Sequence, residues 1–96
     1  MTGPGEASQD LRVENEHGLH LRPAADFVRL ASRYRSEIRV ANLTRGGDRQ
    51  ANARSLLEIS ALGVDRGHSI RLTAVGDDAE AAVQALGDLI RSSSQA

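Results

Sequence analysis

A chain of 96 residues, 40% hydrophobic and 26% charged, has the make-up of one soluble globular domain with room for a single core but no large internal cavity. The absence of cysteine excludes disulfides and thiolate metal sites, and no apolar run approaches the roughly 20 residues of a membrane helix. The net charge of −1 hides an asymmetry: Leu11 to Leu57 carries nine arginines against five acids, Glu58 to Ala96 three against six, and Met1 to Asp10 two acids and no base. A basic half of this kind suits an acidic partner surface or an anionic substrate.

Met1 to Asp10, rich in Gly, Pro, Ser and acid, reads as a disordered N-terminus and is unlike a signal peptide. Leu11 and Val13 alternate with Arg12 and Glu14, which predicts a short half-buried strand. A loop over Asn15 to Leu19 follows. From Leu21 the apolar residues Leu21, Ala24, Ala25, Val28 and Ala31 recur at helical spacing, with Phe27 and Leu30 widening the stripe. Pro23 falls in the first turn of that helix, where a missing N–H costs nothing.

Ile38 and Val40 alternate with Glu37 and Arg39 as a second strand. Arg45-Gly46-Gly47-Asp48 is a turn signal that returns Arg49 to Ala53 as a hairpin partner. Ser55-Leu56-Leu57-Glu58 fits a capping box, and the short helix it opens should end at Gly63 in a left-handed cap. After the turn Asp65-Arg66-Gly67, the residues Ile70, Leu72 and Ala74 alternate with Arg71 and Thr73 as a strand. Asp77-Asp78-Ala79-Glu80 caps a last helix with the apolar stripe Ala82, Val83, Leu86, Leu89 and Ile90. The order β-α-β-β-α-β-α predicts an α+β open-faced sandwich, an antiparallel sheet of four strands with three helices on one face. One domain spans 11–91, and 92–96 is read as a frayed tail.

The chemistry concentrates in Gly18-Leu19-His20-Leu21-Arg22-Pro23-Ala24-Ala25. His20 stands at the start of the predicted helix, where backbone N–H groups lack intrahelical partners and the dipole favours negative charge. Such an end binds anions. An imidazole with an ordinary pKa of about 6.5 is largely neutral at pH 7 and can act as a nucleophile. With the Arg22 guanidinium beside it, the anion can be a phosphoryl group carried on the ring.

This octet resembles the active-site signature of HPr, the histidine-containing phosphocarrier family of the bacterial phosphoenolpyruvate-dependent sugar phosphotransferase system. Phe27-Val28 follows in register, Ala53-Arg54-Ser55-Leu56-Leu57 resembles the family's regulatory-serine segment, and the resemblance runs from about Leu11 to Ile90. It implies that His20 accepts a phosphoryl group on Nδ1 from Enzyme I and passes it to a IIA component for sugar uptake. Arg22 would neutralise phosphate charge, and the N–H groups of Leu21 and Arg22 would face its oxygens. Leu19, Leu21, Leu56 and Leu57 are either core or an exposed docking patch, and Arg54 is either a docking charge or a solvated residue. A serine kinase acting on Ser55 is a possible further partner. The resemblance implies no cofactor, no metal, a cytoplasmic location and a monomer. Fixed donors and positioning are what such transfer requires.

Two positions depart from the family. Leu21 stands where a small or hydroxyl residue is common, and His17 where many members have a residue able to bond the active-site imidazole; His17 is either that partner or a solvated loop residue. His68 is expected to be exposed. His17-x-x-His20 lacks the further ligands of a zinc site. An alternative reading is an HPr-like domain of another phosphoenolpyruvate-dependent relay, such as a dihydroxyacetone kinase phosphotransfer subunit or a nitrogen branch. A nucleic-acid-binding module is remote, because a Gly-x-x-Gly clamp, an aromatic platform and a basic net charge are all missing.

Overall fold

The computed structural model describes residues 5–93. Strands β1 (Glu6–Arg12), β2 (Glu37–Asn42), β3 (Gln50–Asn52) and β4 (Ser69–Val75) and helices α1 (Leu21–Ala31), α2 (Leu56–Ala61) and α3 (Ala79–Ser93) follow the β-α-β-β-α-β-α order. The sheet runs β1-β4-β2-β3 with every neighbouring pair antiparallel. Alternation decides the two faces of the central strand: Ile70, Leu72 and Ala74 point into the core and Arg71 stays exposed. On the solvated face Arg71 stands opposite Asp10 in register and pairs with its carboxylate at 2.7 Å.

The helices cover the other face. α3 packs on β1, β4 and β2, while α1 lies against α2 and α3. α1 buries Ala24, Phe27 and Ala31, a stripe at helical spacing. Phe27 is fully buried, and removing such a side chain from water is worth about 1.5–3 kcal/mol. Ile59 of α2 and Ala82, Val83, Leu86 and Ile90 of α3 close the same core.

Several sequence expectations change. β1 starts at Glu6, so residues 6–10 are strand and not a disordered terminus. Ala7, Gln9 and Leu11 take the half-buried positions, and the polar Gln9 in their midst conceals the alternation. Val13 lies just beyond the strand, yet it stays buried and pairs with the next loop through Val13 N to His68 O (2.8 Å) and Gly67 N to Val13 O (2.7 Å). α3 continues through Ser93, which shortens the proposed tail; residues 1–4 and 94–96 lie outside the described residues.

Only half of the capping box forms. The Ser55 hydroxyl accepts from Glu58 N at 3.2 Å, but the Glu58 carboxylate accepts from Asn52 N at 3.0 Å instead of reaching back to Ser55. Glu58 thereby clips α2 to β3. The helix ends as foreseen, with Gly63 in the left-handed region at φ +63°. Asp78 is also employed differently from a simple helix cap. Its carboxylate accepts from Arg35 N (2.8 Å), Ser36 N (2.9 Å) and the Ser36 hydroxyl (2.5 Å), fastening the α1–β2 connection to the start of α3.

Candidate functional site

The approach to α1 is a tight loop held by its own polar groups. The buried Asn15 donates from Nδ2 to Gly18 O at 2.6 Å, and Gly18 N returns to Asn15 O at 3.2 Å. Gly18 has φ +56°, and a Cβ there would fall 2.1 Å from Val64 O. Only glycine fits both the conformation and the space. The next residue, Leu19, donates its N–H to that Val64 carbonyl at 3.0 Å and is 3% exposed. Its side chain belongs to the core, which decides between the two readings the sequence left open and takes Leu19 off the docking surface.

His20 is the N-cap of α1, and its side chain makes no capping hydrogen bond. Ala24 N already bonds His20 O at 2.8 Å, and Pro23 has no N–H to offer. The unsatisfied donors of the first turn are therefore Leu21 N and Arg22 N. No acidic residue of α1 itself occupies that turn, so any counter-charge to the positive end of the dipole comes from outside the helix. The exposed Arg22 has no hydrogen bond or ion pair among the described residues. The start of α1 thus places two backbone N–H groups, the Arg22 guanidinium and the His20 imidazole along one cleft, the kinds of group from which an anion site can be built.

The ring of His20 has a partner that the sequence reading missed. Nε2 hydrogen-bonds the carboxylate of Asp65, 45 residues further along the chain. His17 does not fill this role: it lines the cleft and its carbonyl accepts His20 N at 3.1 Å. The His20 hydrogen bond, joined by the charges of His20, His68 and Arg45, holds the Asp65 carboxyl below the usual carboxylate value. Asp65 is fixed in turn by His68, whose Nδ1 accepts from Asp65 N at 3.1 Å and lies 3.1 Å from Nδ2 of the buried Asn42. Half-buried His68 is thus a strut of this loop and not merely an exposed residue. Aspartate in a turn gave no sign of this in the sequence; only the pairing of two distant loops creates the contact.

Beside the imidazole opens a cleft of about 580 Å³, where His17, Arg22 and Asp26 face Leu89 and Ile90 of α3. Leu21, on the lining of this cleft, is 74% exposed, and on α2 Leu57 and Leu56 are 82% and 38% exposed. These are large apolar side chains left in water on two helices that pack together. Arg54 is tied into the fold, donating from Nη2 to the carbonyls of Tyr34 and, at 3.1 Å, Ser36. Ser55 is the N-cap of α2. Among the described residues no cluster of three or more His, Asp or Glu side chains could hold a metal ion, and no helix is long and apolar enough to cross a membrane.

A family model described as the phosphorylation site of the PTS HPr component matches residues 7–92. The chain is 49% identical over 83 residues to a multiphosphoryl transfer protein of Salmonella typhimurium, covering 86% of the chain and 22% of that relative. It thus spans about a fifth of the length of such relatives. It is 41% identical over 78 residues to the phosphocarrier protein HPr of Haloferax volcanii, covering 81% of the chain and 85% of that protein. Among solved structures, an HPr from Thermoanaerobacter tengcongensis superposes with a TM-score of 0.85 at 40% identity, covering 94% of the chain and 97% of that structure. An HPr from Bacillus anthracis gives 0.82 at 33% identity, covering 88% and 96%.

Proposed function

The chain belongs to the HPr family of phosphotransferase-system phosphocarriers, and from that premise we propose that His20 carries the phosphoryl group, taking it from phospho-Enzyme I and delivering it to a IIA component for sugar uptake. The observation that carries the proposal is the start of α1, where His20 caps the helix without spending its side chain on the cap. The Nδ1 lone pair attacks phosphorus in line. A phosphorus–nitrogen bond forms as the bond to the donor's leaving atom breaks. Leu21 N and Arg22 N donate hydrogen bonds to the oxygens of the transferred group, and the Arg22 guanidinium adds charge-assisted hydrogen bonds. These donors are few and exposed, which suits a group that must be passed on. A site that stabilised it strongly would hold it.

Leu21, Leu56 and Leu57 form the apolar part of the docking surface, and the arginine-rich half steers an acidic partner toward it. Arg54 adds charge at the edge of that surface while its Nη2 braces the fold. Ser55 is a site for a regulatory kinase. The carrier is cytoplasmic, acts as a monomer and uses no cofactor.

The test is phosphoryl transfer from radiolabelled phosphoenolpyruvate through Enzyme I. His20→Ala abolishes labelling, whereas His17→Ala and His68→Ala retain it, and phosphorus NMR places the group on Nδ1. Label persisting in His20→Ala overturns the assignment.

A second reading has one observation in its favour: the identity to a multiphosphoryl transfer protein, 49%, exceeds that to the free-standing Haloferax HPr, 41%. The carrier then serves a branch built on multidomain phosphoryl-transfer proteins, or another phosphoenolpyruvate-dependent relay. A panel of IIA acceptors separates the two readings by which one drains the phosphoryl group fastest.

A further inference from the structure

We propose that Asp65 is a positioning residue for phosphoryl transfer: by accepting the Nε2–H of His20 it fixes the tautomer whose lone pair lies on Nδ1, and it retains that proton while the ring is phosphorylated. The inference rests on His20 being the phosphoryl acceptor and goes further, to what sets the ring's reactive nitrogen.

A carboxylate only accepts hydrogen bonds. Its contact with Nε2 therefore requires the proton on that nitrogen, and a neutral imidazole has one N–H. The lone pair is left on Nδ1 of the residue that caps α1. Fixing a tautomer through the far nitrogen is a known use of a carboxylate behind a histidine. When Nδ1 bonds to phosphorus the ring becomes cationic, and the charge of Asp65 opposes loss of the Nε2 proton. On donation, the Nδ1–phosphorus bond breaks with its electron pair returning to Nδ1, and neutral imidazole departs. Had Nε2 lost its proton, the leaving group would be an imidazolate, which is much poorer. The Nε2 proton stays in place through both steps, so the balance needs no other reactant.

The setting of the pair favours this role over a structural one. His20 and Asp65 side chains are 53% and 58% exposed, and an ion pair so open to water adds little to fold stability. The backbone around Asp65 is nevertheless rigidly placed, through Asp65 N to His68 Nδ1, His68 N to Asp65 O at 3.0 Å, and Leu19 N to Val64 O. A weakly stabilising carboxylate on a well-supported loop is what orientation requires. His17, Arg22 and Asp26 face the same cleft, and Arg45 and His68 act on Asp65 from the other side. Among the described residues none of these five bonds the His20 ring.

Asp65→Ala and Asp65→Asn separate the parts of the proposal, since the amide can still accept a hydrogen bond but carries no charge. Both keep the backbone bonds of the loop, and circular dichroism checks folding. Nitrogen NMR of the unphosphorylated wild type should show the Nε2–H tautomer of His20 dominant, and Asp65→Ala a mixture of both. In both variants the pH above which phospho-His20 donates slowly should fall by about one unit, a tenfold loss of rate per unit. Folded Asp65→Ala with the wild-type tautomer and pH profile overturns the role of Asp65 while leaving His20 as the acceptor. Label persisting in His20→Ala removes the acceptor reading itself, so the two failures are distinguishable.

Discussion

Leu19 donates its backbone N–H to the carbonyl of Val64 at 3.0 Å, and each of these residues stands one position before a member of the His20–Asp65 pair. This single bond sets the register between two loops and delivers imidazole and carboxylate to each other. The close approach depends on Gly18, whose missing Cβ leaves space for the Val64 oxygen.

Gly18→Ala should therefore damage fold and site together. Its left-handed backbone alone costs about 1–3 kcal/mol for a residue with a side chain, and the collision with Val64 O adds to that. The urea midpoint should drop accordingly, and phosphoryl acceptance should fall more than in Ile59→Ala, a core variant losing about 2–5 kcal/mol. Equal slowing in variants matched for stability would assign the whole effect to unfolding.

Arg22→Ala should leave stability within about 0.5 kcal/mol, as for other surface changes. It should slow phosphoryl acceptance roughly tenfold to a hundredfold, the worth of about 1.5–3 kcal/mol in hydrogen bonds to a charged group. Docking to Enzyme I should also weaken as salt rises to about 0.3 M, because exposed charges are screened over roughly 6–10 Å in that range. A rate independent of salt would rule out steering by the arginine-rich half.

Ser55→Asp should fold, since a negative charge at the start of α2 agrees with the helix dipole. It should slow phosphorylation by Enzyme I by placing charge beside Leu56 and Leu57. Ser55→Ala should lose about 1 kcal/mol by removing the cap while accepting the phosphoryl group at nearly the wild-type rate. If Ser55→Asp is phosphorylated as fast as wild type, Ser55 is a helix cap without a regulatory role.

Asp78 gives a pH signature. Its bonds to the Ser36 hydroxyl and the Arg35 and Ser36 N–H groups hold its carboxyl below the ordinary 3.8. A lowered folded-state value means that the stabilisation is full above the unfolded value and disappears as pH falls through the folded one. The melting-temperature advantage of wild type over Asp78→Asn should be constant near neutrality and shrink as the pH falls below the ordinary carboxylate range. An advantage that grows toward acid would contradict the hydrogen-bond assignment.

What the sequence revealed was local. The stripe of α1, the alternation in β4 and the octet around His20 are short-range patterns, and each maps directly onto its element. Gln9 interrupts the inward positions of β1, so the first half of that strand lacked an apolar period. Asp65 and Asp78 sit in segments that read as turn and cap, yet their carboxylates serve residues 45 and 42 positions away. His68 looked exposed because the Asn42 that meets it comes from another strand. Leu19 reads the same whether it docks a partner or fills the core, and only the close approach of the Val64 loop places it inside.

Two of the donors at the start of α1 that the proposed site uses are backbone amides, and Pro23 withholds a third. A point mutation at Leu21 or Arg22 to any residue but proline changes the side chain and leaves the amide in place. In the proposed carrier, the surface that chooses partners and the backbone that grips the charge can therefore diverge at different speeds. A lineage could recruit this domain to a new relay by altering Leu21, Leu56 and Leu57 alone, without rebuilding the place where the group is held.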